Sequence, residues 1–186
     1  MTEVIDYNDN LEKIKKMVFA ALFAALIAVG AYIRIPIMIS TVPITLQTFF
    51  VLLAALVLGK KWGTVSVIVY LLVGFIGFPV FTGGSGGIGI LFGPTGGYLY
   101  SYILVAYLVG FFSEKIEKKP IPLFIILIFG SFLILGIGTI HLAVFNGFSI
   151  YMALLAGFVP FIIGDTVKSI AVALIAATVS KKIKLA

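Results

Sequence analysis

The chain has 186 residues, of which 62% are hydrophobic and 11% charged, with a formal net charge of +6 and no Cys. That balance lies far from a soluble globular domain and makes bilayer hydrocarbon the solvent for most of the chain. It excludes a disulfide framework, a Cys-ligated metal site and a thiol nucleophile, and since the bases sit in short groups beside apolar runs, it excludes a nucleic-acid footprint as well.

Residues 1–16 mix acids (Glu3, Asp6, Asp9, Glu12) with bases (Lys13, Lys15, Lys16), unlike the simple basic start of a cleaved signal peptide. They read as a retained cytoplasmic lead-in to a single membrane domain over 1–186. Six apolar runs follow, at 17–33, 43–58, 62–78, 97–112, 121–140 and 152–179, and they predict an all-α integral membrane protein, a bundle of six transmembrane helices. The last run is long enough to tilt or bend. No charge occurs from Trp62 to Ser113 or from Pro120 to Gly164. Bases fall in alternate connections: the lead-in, Lys60 and Lys61, then Lys115, Lys118 and Lys119, then Lys181, Lys182 and Lys184. The preference of Lys and Arg for cytoplasmic loops puts those segments and both termini inside.

The outer connections are then 34–42, 78–96 and 141–151, with Arg34 as their one base. The middle one, PVFTGGSGGIGILFGPTGG from Pro79, reads as loop. Unpaired backbone in such a segment cannot face lipid, so it is expected to fold over the bundle and line a cavity open to the outside.

Asp165 and Lys168 are the sharpest feature, because an ionisable residue inside a membrane is costly and marks a ligand or ion path by default. Three residues apart on a helix, they share a face. They read either as a ligand site or as a structural ion pair. Gly157, Pro160 and Gly164 precede them, residues that let a membrane helix bend and free backbone groups. Arg34, Thr41, Thr45, Gln47, Thr82, Thr95, His141 and Asn146 are the other polar candidates to orient a ligand. His141 has no second His or Cys for a metal site, and Asn146 in Phe145-Asn146-Gly147 equally suits a turn. Ala20, Ala24 and Ala28 form a small-residue ridge on the first helix, fit either to dock a partner or to pack internally.

Two nucleotide-like patterns fail. Gly84, Gly86 and Gly89 spell GxGxxG without a preceding strand or a later acidic partner, and Gly59-Lys60-Lys61 lacks the Ser/Thr and upstream Gly of a phosphate loop. ATP hydrolysis must occur elsewhere. Neither a paired carboxylate nor a Ser nucleophile motif is present, so an enzyme is not expected.

Taken in order, Pro43-Ile44-Thr45-Leu46-Gln47, Gly59, GFPVFTGGSGG from Gly77, GPTGGYL from Gly93 and GDTVK from Gly164 resemble the BioY family, the biotin-specific S components of energy-coupling factor (ECF) transporters. The resemblance runs from the first crossing to the last. It implies a biotin-binding membrane subunit that captures biotin outside and works with a coupling transmembrane protein and two ATP-binding-cassette ATPases, binding no cofactor itself. It further implies ligand contacts at Asp165 and Lys168 under closing loops that carry Thr45 and Gln47; Asn146 joins the substrate-binding candidates on its residue type alone. Lys168 would attract the valerate carboxylate, and Asp165 would meet the ureido N–H groups or orient Lys168. Phe81, Phe92 and Tyr98 would flank the apolar middle of biotin. A lid would come from Gly83, Gly84, Gly86, Gly87, Pro94, Thr95 and Gly96, and docking to the coupling protein from Ala20, Ala24 and Ala28. The alternatives are an S component for thiamin or riboflavin and a self-sufficient carrier.

Overall fold

The computed structural model describes residues 2–38, 40 and 42–182. In chain order the elements are α1 (Thr2–Tyr32), β1 (Arg34–Ile35), β2 (Ile44–Thr45), α2 (Gln47–Phe75), α3 (Ile88–Leu91), α4 (Gly96–Ser113), α5 (Pro120–Asn146), α6 (Ile150–Gly157), a 3₁₀ turn (Val159–Phe161) and α7 (Ile162–Lys182). Asn10–Tyr32, Gln47–Phe75, Gly96–Ser113, Pro120–Asn146 and Ile150–Thr178 are each long and apolar enough to cross a membrane.

α1 begins well before the apolar run, so most of the expected lead-in is helix. No Gly or Pro precedes Gly30, and charged residues at helical spacing support the first turns in water, as in the Glu12–Lys15 pair at 3.5 Å.

α2 is a hairpin. Gly59 has φ 72 and ψ −178, outside the helical range, and the chain reverses there. A Cβ on Gly63 would come within 2.8 Å of the Ala55 Cα, whereas in a straight helix those two positions would lie about 12 Å apart along the axis. Gly110 of α4 accepts the turn closely, because a Cβ there would stand 2.4 Å from Lys60 N. The expected second crossing at 43–58 starts late, at Gln47, because residues 44–45 are drawn into a ladder: β1 and β2 pair antiparallel with Arg34 opposite Thr45 and Ile35 opposite Ile44.

The last apolar run is broken, as its Gly and Pro foretell. α6 stops at Gly157, Val159–Phe161 forms the 3₁₀ turn with Pro160 in its first positions, and α7 resumes at Ile162. α5 outlasts its expected end at 140. It reaches Asn146, with Gly147 at φ 65 closing it in the left-handed conformation.

α2 packs on α1 and α4, α4 on α5, and α5 on α7. Ile27, Leu52, Val67, Val105, Leu127, Ile134 and Leu142 are wholly buried between them. Ala20 and Ala24, at 2% and 7% exposure, face this core and Ala28 packs against it. The small-residue ridge therefore packs α1 onto its own bundle. The opposite stripe of Val18, Ala21, Leu22, Ala25 and Val29 is the exposed one.

At the end of the bundle that carries Gly59, Lys60 Nζ pairs with Glu114 at 3.3 Å and its backbone N–H donates to the same carboxylate at 2.9 Å. Lys118, in the link between α4 and α5, has its ammonium buried without a hydrogen-bond partner. Burial pushes that ammonium's pKa down, and Glu114 works in the opposite sense.

Candidate functional site

A single charged pair lies inside the bundle among the described residues. Lys168 Nζ donates to Asp165 Oδ1 at 2.6 Å and to Thr48 Oγ1 at 3.0 Å, and Thr48 Oγ1 lies 3.4 Å from the same carboxylate oxygen. The three groups close a triangle between α7 and the start of α2. Asp165 and Lys168 are 3% and 9% exposed. The break before Ile162 sets the beginning of α7 against α2, so the one-turn spacing of 165 and 168 turns both charges inward.

The triangle lines a cavity of about 250 Å³, near the lower end for small-molecule sites. Its walls come from distant parts of the chain. Thr45, Gln47 and Thr48 stand at the β2–α2 junction, Phe81, Thr82 and Ser85 belong to the Gly-rich loop, and Ile90, Thr95, Tyr98 and Tyr102 follow along α3 and α4. Ile134 and Leu135 add an apolar side from α5, and Arg34 stands at an exposed edge. The cavity therefore has a buried charged end, an apolar middle, and a cationic rim.

Arg34 differs from Lys168 in one respect. Its guanidinium has no hydrogen bond or ion pair within the protein among the described residues. The β1–β2 pairing holds it opposite Thr45, and a Cβ on Gly83 would come within 2.6 Å of its Nη1, so the loop glycine leaves room for the guanidinium. Lys168 is already neutralised. Arg34 is not.

The Gly-rich loop is held at several points. Phe81 seats its ring in the notch left by Gly74, where a Cβ would lie 2.1 Å from the ring, and meets Tyr70 edge-on at 5.6 Å. The Tyr32 hydroxyl donates to the Pro79 carbonyl. Further on, His141 of α5 binds the Gly93 carbonyl at 2.9 Å, and the Gly97 backbone rests against the His141 side chain so closely that a Cβ would stand 2.2 Å from its own. Tyr98 reaches across to α6, donating to the Gly157 carbonyl at 2.8 Å.

Comparison with known proteins decides the family. The BioY family model matches residues 3–185. The chain belongs to the BioY family. Biotin transporter BioY2 of Lactococcus lactis is 45% identical over 160 residues, covering 86% of this chain and 87% of that one. Biotin transporter BioY of Thermotoga maritima is 43% identical over 175 residues, covering 90% and 96%. The 2.1 Å crystal structure of the S-component for biotin from an ECF-type ABC transporter superposes with a TM-score of 0.87 at 33% identity, over 93% of this chain and 94% of that one. With this family and its apolar helices, the chain is a multi-pass membrane protein.

Within this BioY-family chain, the fold brings Asp165, Lys168, Thr45, Gln47, Phe81, Tyr98 and Thr95 onto one cavity. Two expected ligand contacts do not reach it. Phe92 is 65% exposed and turns its ring edge to Tyr100, and the Asn146 amide donates to the Leu142 carbonyl at the end of α5. His141 lies within α5 rather than in an outer connection. Of the expected lid residues, Gly83 and Gly84 lie beside Arg34 and Tyr32, and Gly86 is packed on the Phe78 carbonyl. Gly87 donates its N–H to the Gly74 carbonyl at 2.7 Å, while Pro94 and Gly96 flank Thr95, the residue of that group whose side chain lines the cavity. Thr41 is outside the described residues. Sequence reasoning missed Thr48, Tyr70 and Tyr102, hydroxyl residues inside apolar runs.

Proposed function

We propose that this chain is the biotin-binding subunit of an ECF-type vitamin uptake transporter. The observation that carries the reading is the cavity itself, with a buried carboxylate and ammonium at one end and, at its rim, a guanidinium with no partner among the described residues, in a chain of the BioY family. Biotin offers matching chemistry: a ureido ring with two N–H donors and a carbonyl, an apolar thiophane ring, and an anionic valerate. The ureido ring goes to the buried end. There the triangle with Thr48 leaves Asp165 one carboxylate oxygen for an N–H and Lys168 one ammonium hydrogen for the carbonyl. The valerate carboxylate goes to Arg34, since a cation already bonded to a carboxylate at 2.6 Å has less to offer a second anion than an unpaired one. This reverses the sequence-based expectation that Lys168 takes the carboxylate.

The six-crossing topology follows from counting α2 as two antiparallel crossings joined at Gly59 and the broken last run as one, which leaves both termini on the cytoplasmic side with Lys60, Lys61 and the Lys115–Lys119 group. Biotin enters from outside, the loop over the cavity closes, and the bundle tilts against a coupling transmembrane protein as two ATPases bind ATP. No bond in biotin changes. Docking to the coupling protein falls to the exposed Ala21 and Ala25 stripe of α1, because small residues let a partner helix approach closely. Isothermal titration of the purified protein with biotin, thiamin and riboflavin tests the reading. Saturable heat with biotin alone is the expected result, and heat with another vitamin but none with biotin overturns it.

A further inference from the structure

Gln47 lies on the cavity wall, yet the protein itself occupies its amide oxygen and one of its two N–H donors. Its side-chain oxygen accepts from Thr82 Oγ1 at 2.9 Å and from Thr45 Oγ1 at 3.1 Å, and its nitrogen donates to the Tyr70 hydroxyl at 2.5 Å. Both lone pairs of the oxygen are thus in use. The pattern also survives exchange of the amide ends, since every partner is a hydroxyl that can donate or accept. Gln47 is 2% exposed and sits on the first turn of α2, braced from below by Tyr70 in the second arm of the hairpin.

Of these partners, Thr82 alone belongs to the loop over the cavity. It stands on the stretch Phe81–Ser85, which closes on itself as the Phe81 N–H donates to the Ser85 carbonyl at 2.9 Å and Ser85 Oγ donates to the Thr82 carbonyl at 2.9 Å. These two hydrogen bonds tie the stretch into one small unit, anchored at one end by the Phe81 ring in the Gly74 notch. Outside it the chain turns at Gly77 (φ 104) and Gly87 (φ 91), where an added Cβ would meet nothing within 4 Å, and both backbone N–H groups donate to the Gly74 carbonyl, at 3.1 and 2.7 Å. By contrast, the stretch around Gly93–Gly97 is pinned by His141 and by backbone contacts.

We infer that Gln47 is a positioning residue: the Thr82–Gln47–Tyr70 chain latches the Phe81–Ser85 unit shut over the bound ligand and governs how slowly the ligand leaves. The inference rests on the biotin-binding reading above. It assigns Gln47 a role through Thr82, beside the direct ligand contact expected from sequence.

The test is the dissociation rate of radiolabelled biotin, chased with unlabelled biotin from purified protein in nanodiscs. Thr82→Val keeps the shape and removes the donor, and Thr82→Ser keeps the donor. One ordinary hydrogen bond corresponds to about three- to tenfold in rate, so Thr82→Val is expected to release biotin that much faster with its association rate within twofold of wild type. Thr82→Ser is expected to return to the wild-type rate. In a Gln47→Leu background, Thr82→Val is expected to add nothing, which separates a latch from direct ligand contact by Thr82. A Thr82→Val off-rate within twofold of wild type overturns the latch, as does the same acceleration in both backgrounds. If Gln47→Leu does not fold, Tyr70→Phe decides instead: Tyr70 does not line the cavity, so faster release is expected there through Gln47 alone, and an off-rate within twofold of wild type overturns the latch. Wild-type protein that retains no biotin at all sinks the binding reading itself, an outcome distinct from a latch that fails while biotin binds.

Discussion

Replacing Lys168 with Met removes the ammonium from the triangle and leaves the Asp165 carboxylate buried with only the Thr48 hydroxyl to offset its charge. Breaking a buried ion pair on one side costs about 3–5 kcal/mol. The lower end applies here, because the pair lines a cavity and its side chains retain 10% and 4% exposure. A loss of about 3 kcal/mol is therefore expected in the folded state, together with at least a tenfold loss of biotin affinity from the missing charge-assisted bond. The double variant Asp165→Asn, Lys168→Met separates the two effects. It removes both charges, so it regains most of the stability, but it has neither the carboxylate nor the ammonium to offer a ureido ring and does not regain binding. Thermal melting in detergent reads the first quantity and calorimetric titration the second. A Lys168→Met protein that melts like wild type and binds biotin within twofold would refute the reasoning on both counts, since the pair would then be neither a buried bond nor a ligand contact.

Arg34→Ala is expected to weaken biotin about tenfold while leaving the affinity for biotin methyl ester nearly unchanged, as measured by competition with labelled biotin; equal losses for acid and ester would remove Arg34 from the carboxylate. Ala25→Leu is expected to keep binding and abolish ATP-coupled uptake in reconstituted vesicles, whereas Ala24→Leu, at a buried position, is expected to lower thermal stability by overpacking, roughly 1–3 kcal/mol. Lys118→Met is expected to raise the melting temperature at pH 7. The fold lowers the Lys118 pKa, so its penalty is fully present below the folded pKa and is relieved as pH rises toward the unfolded value. The gain from the substitution should shrink accordingly between neutral and alkaline pH.

The sequence made some parts of this molecule legible and hid others, for physical reasons. Charges are scarce in hydrocarbon, so Asp165 and Lys168 stood out at once, and the fold brings both onto the cavity. The Gly-rich loop was equally plain, because backbone of that kind must be covered by protein. Which way the α1 alanines face was not legible. Lipid is as apolar as a helix core, so hydrophobic periodicity does not distinguish Ala20 and Ala24, which face inward, from Ala21 and Ala25, which face out. The reversal at Gly59 was anticipated from Lys60 and Lys61, whereas the β1–β2 ladder that brings Arg34 opposite Thr45 depends on pairing between residues too few to leave a pattern. Thr48, Tyr70 and Tyr102 were invisible for a related reason: a lone hydroxyl in an apolar run has no partner until the chain is folded. Phe92 and Asn146 show the opposite case, since neither lines the cavity. Residue type suited them to a ligand, but a helix end claimed the amide and an exposed edge the ring.

A structure of the biotin-loaded protein reads the orientation of the bound vitamin. The ureido ring is expected against Asp165, Lys168 and Thr48, with the valerate carboxylate at the Arg34 guanidinium. A carboxylate found at Lys168, or biotin bound outside this cavity, would contradict this orientation.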